Sequence, residues 1–379
     1  MSRLTEEPNI VKFVRSDAIQ YEHEWNPRDY NPYHARQVLL DHIDEAVEAE
    51  ALGWDGYFVT EHHFDGWTLA PQPNLFLAAV AMRTSRIRLG HSVQVLPVHN
   101  PLHLAEQYGM LDVLSGGRLE VGLGRGNFRF EWERYAEAQE DAPALFDEKY
   151  KLLMKALTQA EFTHDAVVPV AKPSTIYPRP MQNPLPTWLA AVSPGSVERV
   201  GRLGANLSSP AIPDGGEKLE RYIEAAGQAG WTVTGANYMV LTRIICAPTD
   251  REAHLIDEQN TRVMLDALGT RGVTRDTPAG ALQVAGFTQG IVGSPQTVRE
   301  QLAEVLRSTG ARRVLAIIRL RGMPGEVSRQ TQHLMATDVI PHLRNLAVPG
   351  SSKHNGRASD VSRLGARDGE SVPAREMVK

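Results

Sequence analysis

The sequence predicts an α/β chain folded as one TIM (β/α)8 barrel, with insertions at the barrel mouth and a disordered C-terminal tail. From about residue 10 to residue 348, short apolar runs alternate with longer segments of helical period, the pattern of a parallel sheet wrapped by helices. Close to eight such pairs can be counted. The runs are nearly continuous in apolar residues, as strands buried on both faces must be. The 379 residues, 42% apolar and 22% charged, exceed the ~250 that a minimal barrel needs. The surplus belongs to loops and a tail.

Strands are expected at 11–16, 56–60, 87–96, 119–124, 187–192, 205–208, 238–247 and 313–319. After the first, Val38, Leu39, His42, Ile43, Ala46, Val47 and Ala51 recur at helical spacing with Asp41, Asp44, Glu45 and Glu48 opposite, so this stretch is an amphipathic helix that Gly53 ends. Pro101 opens a helix to residue 114, which Gly116 and Gly117 close, and Ser294-Pro295 supplies an N-cap followed by proline at the first helical position. The stretches 21–33, 65–73 and 127–143 each follow a predicted strand, which puts them at the mouth. The stretch 254–289, rich in Gly, Thr and Arg in its middle, is expected as a mobile lid or disordered insertion. The Ser/Gly/Arg/Asp-rich segment 351–379 is expected as a disordered tail, leaving 1–350 as a single domain.

Composition narrows the function. A net charge of −5 without a Lys/Arg block argues against nucleic acid or a membrane surface as partner. Cys246 is the one cysteine, so internal disulfides and cysteine-built metal sites are excluded, and its apolar surroundings suit a buried structural thiol. Residues 1–13 carry acids and a proline where a secretory signal needs an apolar run, and no window reaches membrane-spanning length. A cytoplasmic chain is the expectation.

Four groups of residues could carry chemistry. Glu61-His62-His63-Phe64 closes the second strand. Successive strand residues face opposite ways, which argues against both histidines ligating one metal; one should enter the mouth, either to move protons near neutral pH or merely to bond a loop. Gly122-Leu123-Gly124-Arg125-Gly126 ends the fourth strand and is either a phosphate cradle with one guanidinium or a tight turn with a surface salt bridge. Ser193-Pro194-Gly195-Ser196 opens a helix, as an anion site or as simple capping. Finally, Phe64, Trp67, Phe128, Phe130, Trp132 and Tyr135 are six aromatics in mouth loops; some line an apolar pocket and others cap the barrel or meet a partner subunit. His99, at the third-strand exit, is placed to touch a ligand.

In this order the residues resemble the bacterial luciferase-like family of flavin-dependent monooxygenases, from roughly residue 10 to 346. The carriers are Thr60-Glu61-His62-His63-Phe64, Val95-Leu96-Pro97 with Pro101 and Ala105-Glu106, the stretch from Leu111-Asp112 through Ser115-Gly116-Gly117-Arg118-Leu119, then Gly122 to Gly126, and Val292-Gly293-Ser294-Pro295 with Val298. Together they are specific for the superfamily and say little about substrate.

The resemblance implies a luciferase-like TIM barrel, usually a homodimer, that takes reduced FMN from a separate flavin reductase and uses molecular oxygen to oxidise a small organic substrate through a flavin hydroperoxide. His62 matches the active-site histidine, Arg125 the flavin-phosphate arginine and Ser193 a serine on the same phosphate, with Ser196 a looser match. Val98 and His99 fall where the family often has a non-proline cis peptide against the flavin, expected here at 98–100. Gly124 stands in place of a cysteine near the flavin, and Val192 in place of an acidic residue, so light emission is not implied. Phe64, Trp67 and Phe128 are the expected substrate-pocket walls, and no metal is expected. Two other readings stay open: a deazaflavin-dependent hydride-transfer oxidoreductase and a non-catalytic flavin-binding protein.

Overall fold

The structure is a computed structural model. It describes residues 10–21, 27–126, 128–135, 142–166, 168–212, 214–270, 272–273, 275–276, 281, 284–285, 288–319 and 321–349. The expected tail, 351–379, lies outside them, as do parts of three expected insertions, at 22–26, at 127 and 136–141, and at several positions between 271 and 287.

The strands in chain order are β1 (Lys12–Asp17), β2 (Gly56–Val59), β3 (Arg88–His91), β4 (Gln94–Val95), β5 (Leu119–Gly124), β6 (Phe162–His164), β7 (Val170–Ser174), β8 (Thr187–Ala190), β9 (Asn206–Pro210), β10 (Tyr238–Cys246), β11 (Gly290–Gly293) and β12 (Arg313–Ile317). Eight of them, β1, β2, β3, β5, β8, β9, β10 and β12, pair in parallel in that order. The ring closes where β12 pairs with β1, Phe13 opposite Val314, so none of the eight leaves an open edge. β11 extends the sheet along the upper half of β10, and β6 with β7 forms a separate antiparallel pair.

The helices of six or more residues are α1 (Pro32–Ala51), α2 (Pro73–Ala81), α3 (Pro101–Ser115), α4 (Arg129–Arg134), α5 (Ala142–Thr158), α6 (Pro194–Arg202), α7 (Glu217–Gln228), α8 (Asp250–Gly269), α9 (Pro295–Thr309) and α10 (Gly325–Leu334), and one further turn of helix follows at Ile340–Leu343. Local sequence sets their ends: the Asn31 side chain accepts from the amides of Tyr33 and His34, Asn100 does the same for Leu102 and His103, and Gly116 at φ +70° terminates α3. Val14, Phe58, Trp188, Met239 and Leu315 pack together inside the barrel. The alternate strand residues join the helices in the main core.

Two expectations need correction. The apolar run 87–96 is not one strand: it breaks at a cis peptide between Ser92 and Val93, so the strand exit, and with it the cis bond expected at 98–100, comes several residues earlier. Leu96–Val98 is instead a 3-10 turn. The stretch 254–289 is no loose insertion throughout, because its first half lies in α8, started by a capping box of Thr249 and Glu252.

The glycines ending β5 serve the fold directly. A Cβ on Gly122 would lie 1.9 Å from the His91 carbonyl oxygen, and one on Gly124 would lie 2.4 Å from Val93 Cγ2. The space that sequence reasoning left for a ligand is therefore filled by the chain itself. Gly122→Ala should lower the thermal midpoint by at least ~5 °C, since backbone cannot yield as a side chain can. Gly195→Ala, where an added Cβ meets nothing within 4 Å, should leave it almost unchanged; equal midpoints would contradict this packing.

Candidate active site at the barrel mouth

The site is built where β2, β3 and β5 end. β2 stops at Val59, so Glu61, His62 and His63 sit on a loop, and strand alternation does not govern their directions. Two buried carboxylates do. Glu131, on α4, accepts from His62 Nδ1 at 3.2 Å and from the His63 backbone amide at 2.9 Å. Glu61 accepts from His63 Nε2 at 2.8 Å and His99 Nε2 at 2.7 Å, and the Tyr135 hydroxyl donates to His63 Nδ1 at 2.9 Å. These tautomers follow from the requirement that each contact has one donor.

Both nitrogens of His63 are thus engaged. His62 keeps Nε2 without a protein partner among the described residues, on a side chain 14% exposed. Its ring packs against both Phe128 and Trp67, with centroids 5.1 and 6.0 Å away, and those two rings also touch each other at 6.0 Å. These two aromatics are buried with Met264, Ala267, Leu268 and Val284, so α8 covers this side of the mouth. Phe64 stands apart, half exposed at φ +65° and packed on Tyr135 at 5.0 Å.

Burial alone would raise the Glu61 pKa, but the hydrogen bonds and charge of His63 and His99 outweigh it and hold the carboxyl down to about 2. Burial drives His91 down to about 3, so it is neutral; its Nε2 meets Asn74 Oδ1 at 2.7 Å. Burial also lifts the Tyr135 hydroxyl to about 12. The atoms of Glu61, His63 and His99 also lie within 4.8 Å of one another, a ligand-like grouping that the strand argument against a metal did not foresee.

The anion-binding candidates occupy the same rim. Leu123 pairs with Leu189 and Gly124 with Val95, so exposed Arg125 leaves β5 next to the chain that leaves β8 toward Ser193. Ser193 caps α6, and Ser196 Oγ donates to the Ser193 carbonyl at 2.7 Å and accepts from the Val192 amide at 3.1 Å. Val98 does not join them: it packs against the cluster of Val95, Trp132 and Ala142. His99 reaches Glu61 instead of standing alone.

Sequence reasoning missed Glu131 and Tyr135 as hydrogen-bonding partners, and it missed Arg243. The last carried a signal, being the lone charge in the otherwise apolar run 238–247. A cavity of about 410 Å³ opens at the opposite face, lined by Lys12, Glu50, Trp54, Asp55, Arg88 and Arg313 among others. Its acids are committed, Glu50 to the amides of residues 85–87 and Asp55 to Arg344, so the mouth remains the better candidate for chemistry.

Since Glu61 protonates more easily in the unfolded chain than in the folded one, its ionised form stabilises the fold fully above about pH 4.5, and this contribution is lost as pH falls toward 2. The stability gap between wild type and Glu61→Gln, followed by urea unfolding, should be constant above pH 4.5 and shrink below it. A gap independent of pH would show that Glu61 is not held ionised.

Comparisons with known proteins bear on the family and the fold. The profile of a family described as Luciferase-like monooxygenase matches residues 25–313. The protein y4vJ of Sinorhizobium fredii is 38% identical over 190 residues, 49% of this chain and 54% of its own length. The oxygenase component of flavin-dependent trigonelline monooxygenase from Acinetobacter baylyi is 29% identical over 58% of this chain and 64% of its own. An F420-dependent glucose-6-phosphate dehydrogenase of Intrasporangium calvum is 31% identical over 43% of this chain and 51% of its own. The matches thus span about half to two thirds of these relatives. Among solved structures, the monooxygenase RslO1 of Streptomyces bottropensis superposes with a TM-score of 0.75 at 27% identity, over 87% of this chain and 99% of that one.

Proposed function

The chain belongs to the luciferase-like monooxygenase family, and from that premise we propose that it uses reduced FMN and molecular oxygen to oxidise a small organic substrate at the barrel mouth. The observation that carries this reading is the single imidazole nitrogen, His62 Nε2, left open among the described residues beside two buried aromatics while every other ring nitrogen of the histidine pair is engaged.

The rim suits the cofactor's phosphate. It offers one exposed guanidinium, the Ser193 and Ser196 hydroxyls, and the start of the nine-residue helix α6, in front of which the space at Gly195 is open. A phosphate ester there gains both charge and first-turn amides. When bound, reduced FMN supplies the electrons and the position at which oxygen is activated. Arg125 and Ser193 anchor that nucleotide, Trp67 and Phe128 exclude water under α8, and Glu131 fixes the His62 tautomer so that Nε2 can accept or return a proton.

A separate reductase supplies the reduced flavin, and the chain pairs with a second copy through α2 and α3. Leu75, Met82, Met110, Val113 and Leu114 on these adjacent helices are large apolar side chains open to solvent, as a symmetric interface requires. Sedimentation of the purified chain as a monomer at micromolar concentration would remove this part of the proposal. Among the described residues no helix is long and apolar enough to cross a membrane.

Hydride transfer with a deazaflavin is the competing reading, favoured by the F420-dependent relative. Titrating the protein with FMN, riboflavin and F420 separates the two. FMN should bind tightest, and Arg125→Met should weaken FMN by ~10- to 100-fold while sparing riboflavin, as loss of a charge-assisted contact predicts. His62→Ala should lower substrate-dependent oxygen uptake by ~100- to 10,000-fold with FMN affinity retained. Tight F420 binding without oxygen uptake would decide for the alternative.

A further inference from the structure

A charged group lies in the barrel mouth that the flavin reading does not use. Met239 and Leu241 face the barrel interior with Val14, Phe58 and Trp188. Two residues further along β10, strand alternation brings Arg243 to the same face, where it is 1% exposed. Among the described residues its Nε and Nη1 have no hydrogen-bond partner, and its charged neighbour is Asp257 of α8, in contact with Nη2.

A buried guanidinium with open N–H groups is costly unless something completes it. Burial lowers its pKa to about 10. Asp257 is itself 27% exposed, so it can turn to water when another acceptor takes its place. The same helix reaches the far side of the mouth, where Met264 and Leu268 pack on the Trp67–Phe128 pair that holds His62. From Asp257 to Met264 is about 10 Å along the helix, at 1.5 Å per residue.

We propose that Arg243 binds an anionic group of the substrate, and that the compound oxidised here is an organic carboxylate whose acid end displaces Asp257 while its apolar body extends toward His62. The proposal rests on the mouth being the oxidation site. A planar two-oxygen acceptor matches the guanidinium fork, whereas the cofactor's phosphate has its own donors on the outer rim at Arg125 and Ser193.

The test measures binding of 3-phenylpropanoate and its amide, which share one apolar body, by calorimetry on the full-length protein with and without FMN. Wild type should bind the acid ~10- to 100-fold more tightly than the amide, the range of a charge-assisted pair. Arg243→Met should bring that ratio to about one, and Asp257→Asn should tighten the acid alone by removing its internal competitor. An equal affinity for acid and amide in wild type, a preference that survives Arg243→Met, or no detectable binding of the acid would overturn the proposal. If Arg243→Met does not fold, Asp257→Asn decides: a gain in acid affinity supports the proposal, and no gain or a loss overturns it. FMN titration of the same samples keeps the two readings apart, since an acid preference without FMN binding would defeat the cofactor assignment and leave Arg243 standing.

Discussion

The mouth is organised by one buried carboxylate. Glu61 is 2% exposed and accepts imidazole N–H groups from the exits of two different strands. A carboxylate at that depth without partners would cost several kcal/mol, so the loops after β2 and β3 must stay where His63 and His99 can reach it. Tyr135, through His63, adds the end of α4 to the same network. Glu131 then sorts the adjacent histidines by role: it takes the His63 amide and the His62 ring, which leaves His63 saturated and His62 with one open nitrogen. Two acids therefore decide what two neighbouring histidines can do.

A second polar layer fixes the frame on which this rests. On the outer side of β1, buried Arg15 donates to Glu45 of α1 and Gln332 of α10, while Asp17 accepts from Tyr57 and lies 2.6 Å from His42 Nδ1. Burial would raise the Asp17 carboxyl, but His42 and Arg15 hold it well below the usual carboxylate range. Helices α1 and α10 are thus tied to the strand that closes the ring. Inside the opposite end of the barrel, Glu120 joins Arg88, Arg313 and the Trp188 indole. Such paired charges specify register more than they add stability, and they leave the loops at the mouth free to vary.

How much of this could be read in the sequence follows from the range of the interactions. The eight strands were legible because strands buried on both faces are mostly apolar, and their expected bounds fall within a few residues of those observed for all but the run 87–96. There, apolar character continued through a break at the cis peptide Ser92–Val93 that hydrophobicity does not register. Helix α10 and the β6–β7 pair were not singled out, since their strand and helix patterns are short and their burial depends on partners far away in the chain. At the mouth, Glu-His-His marked the place but not the roles, because Glu131 lies 68 residues beyond His63. Arg125 and Ser193 were legible as local motifs with local alternatives, whereas the glycines around Arg125 proved to answer to His91 and Val93.

Helix α8 joins the two halves of the mouth with contacts of opposite character. Its earlier turns are polar: Asp257 meets Arg243, and the Asn260 amide donates to the Arg321 carbonyl at 2.7 Å. Its later turns are apolar and rest on Trp67 and Phe128. The helix is therefore polar where it faces β10 and apolar where it faces the loops after β2 and β5. Under the proposals made above, a molecule with one charged end would bind there in a single orientation, with the carbon to be oxidised on the side where His62 stands. Holding reactants in one geometry is worth several kcal/mol of barrier in itself, so under those proposals the helix over the mouth would also help determine which bond reacts.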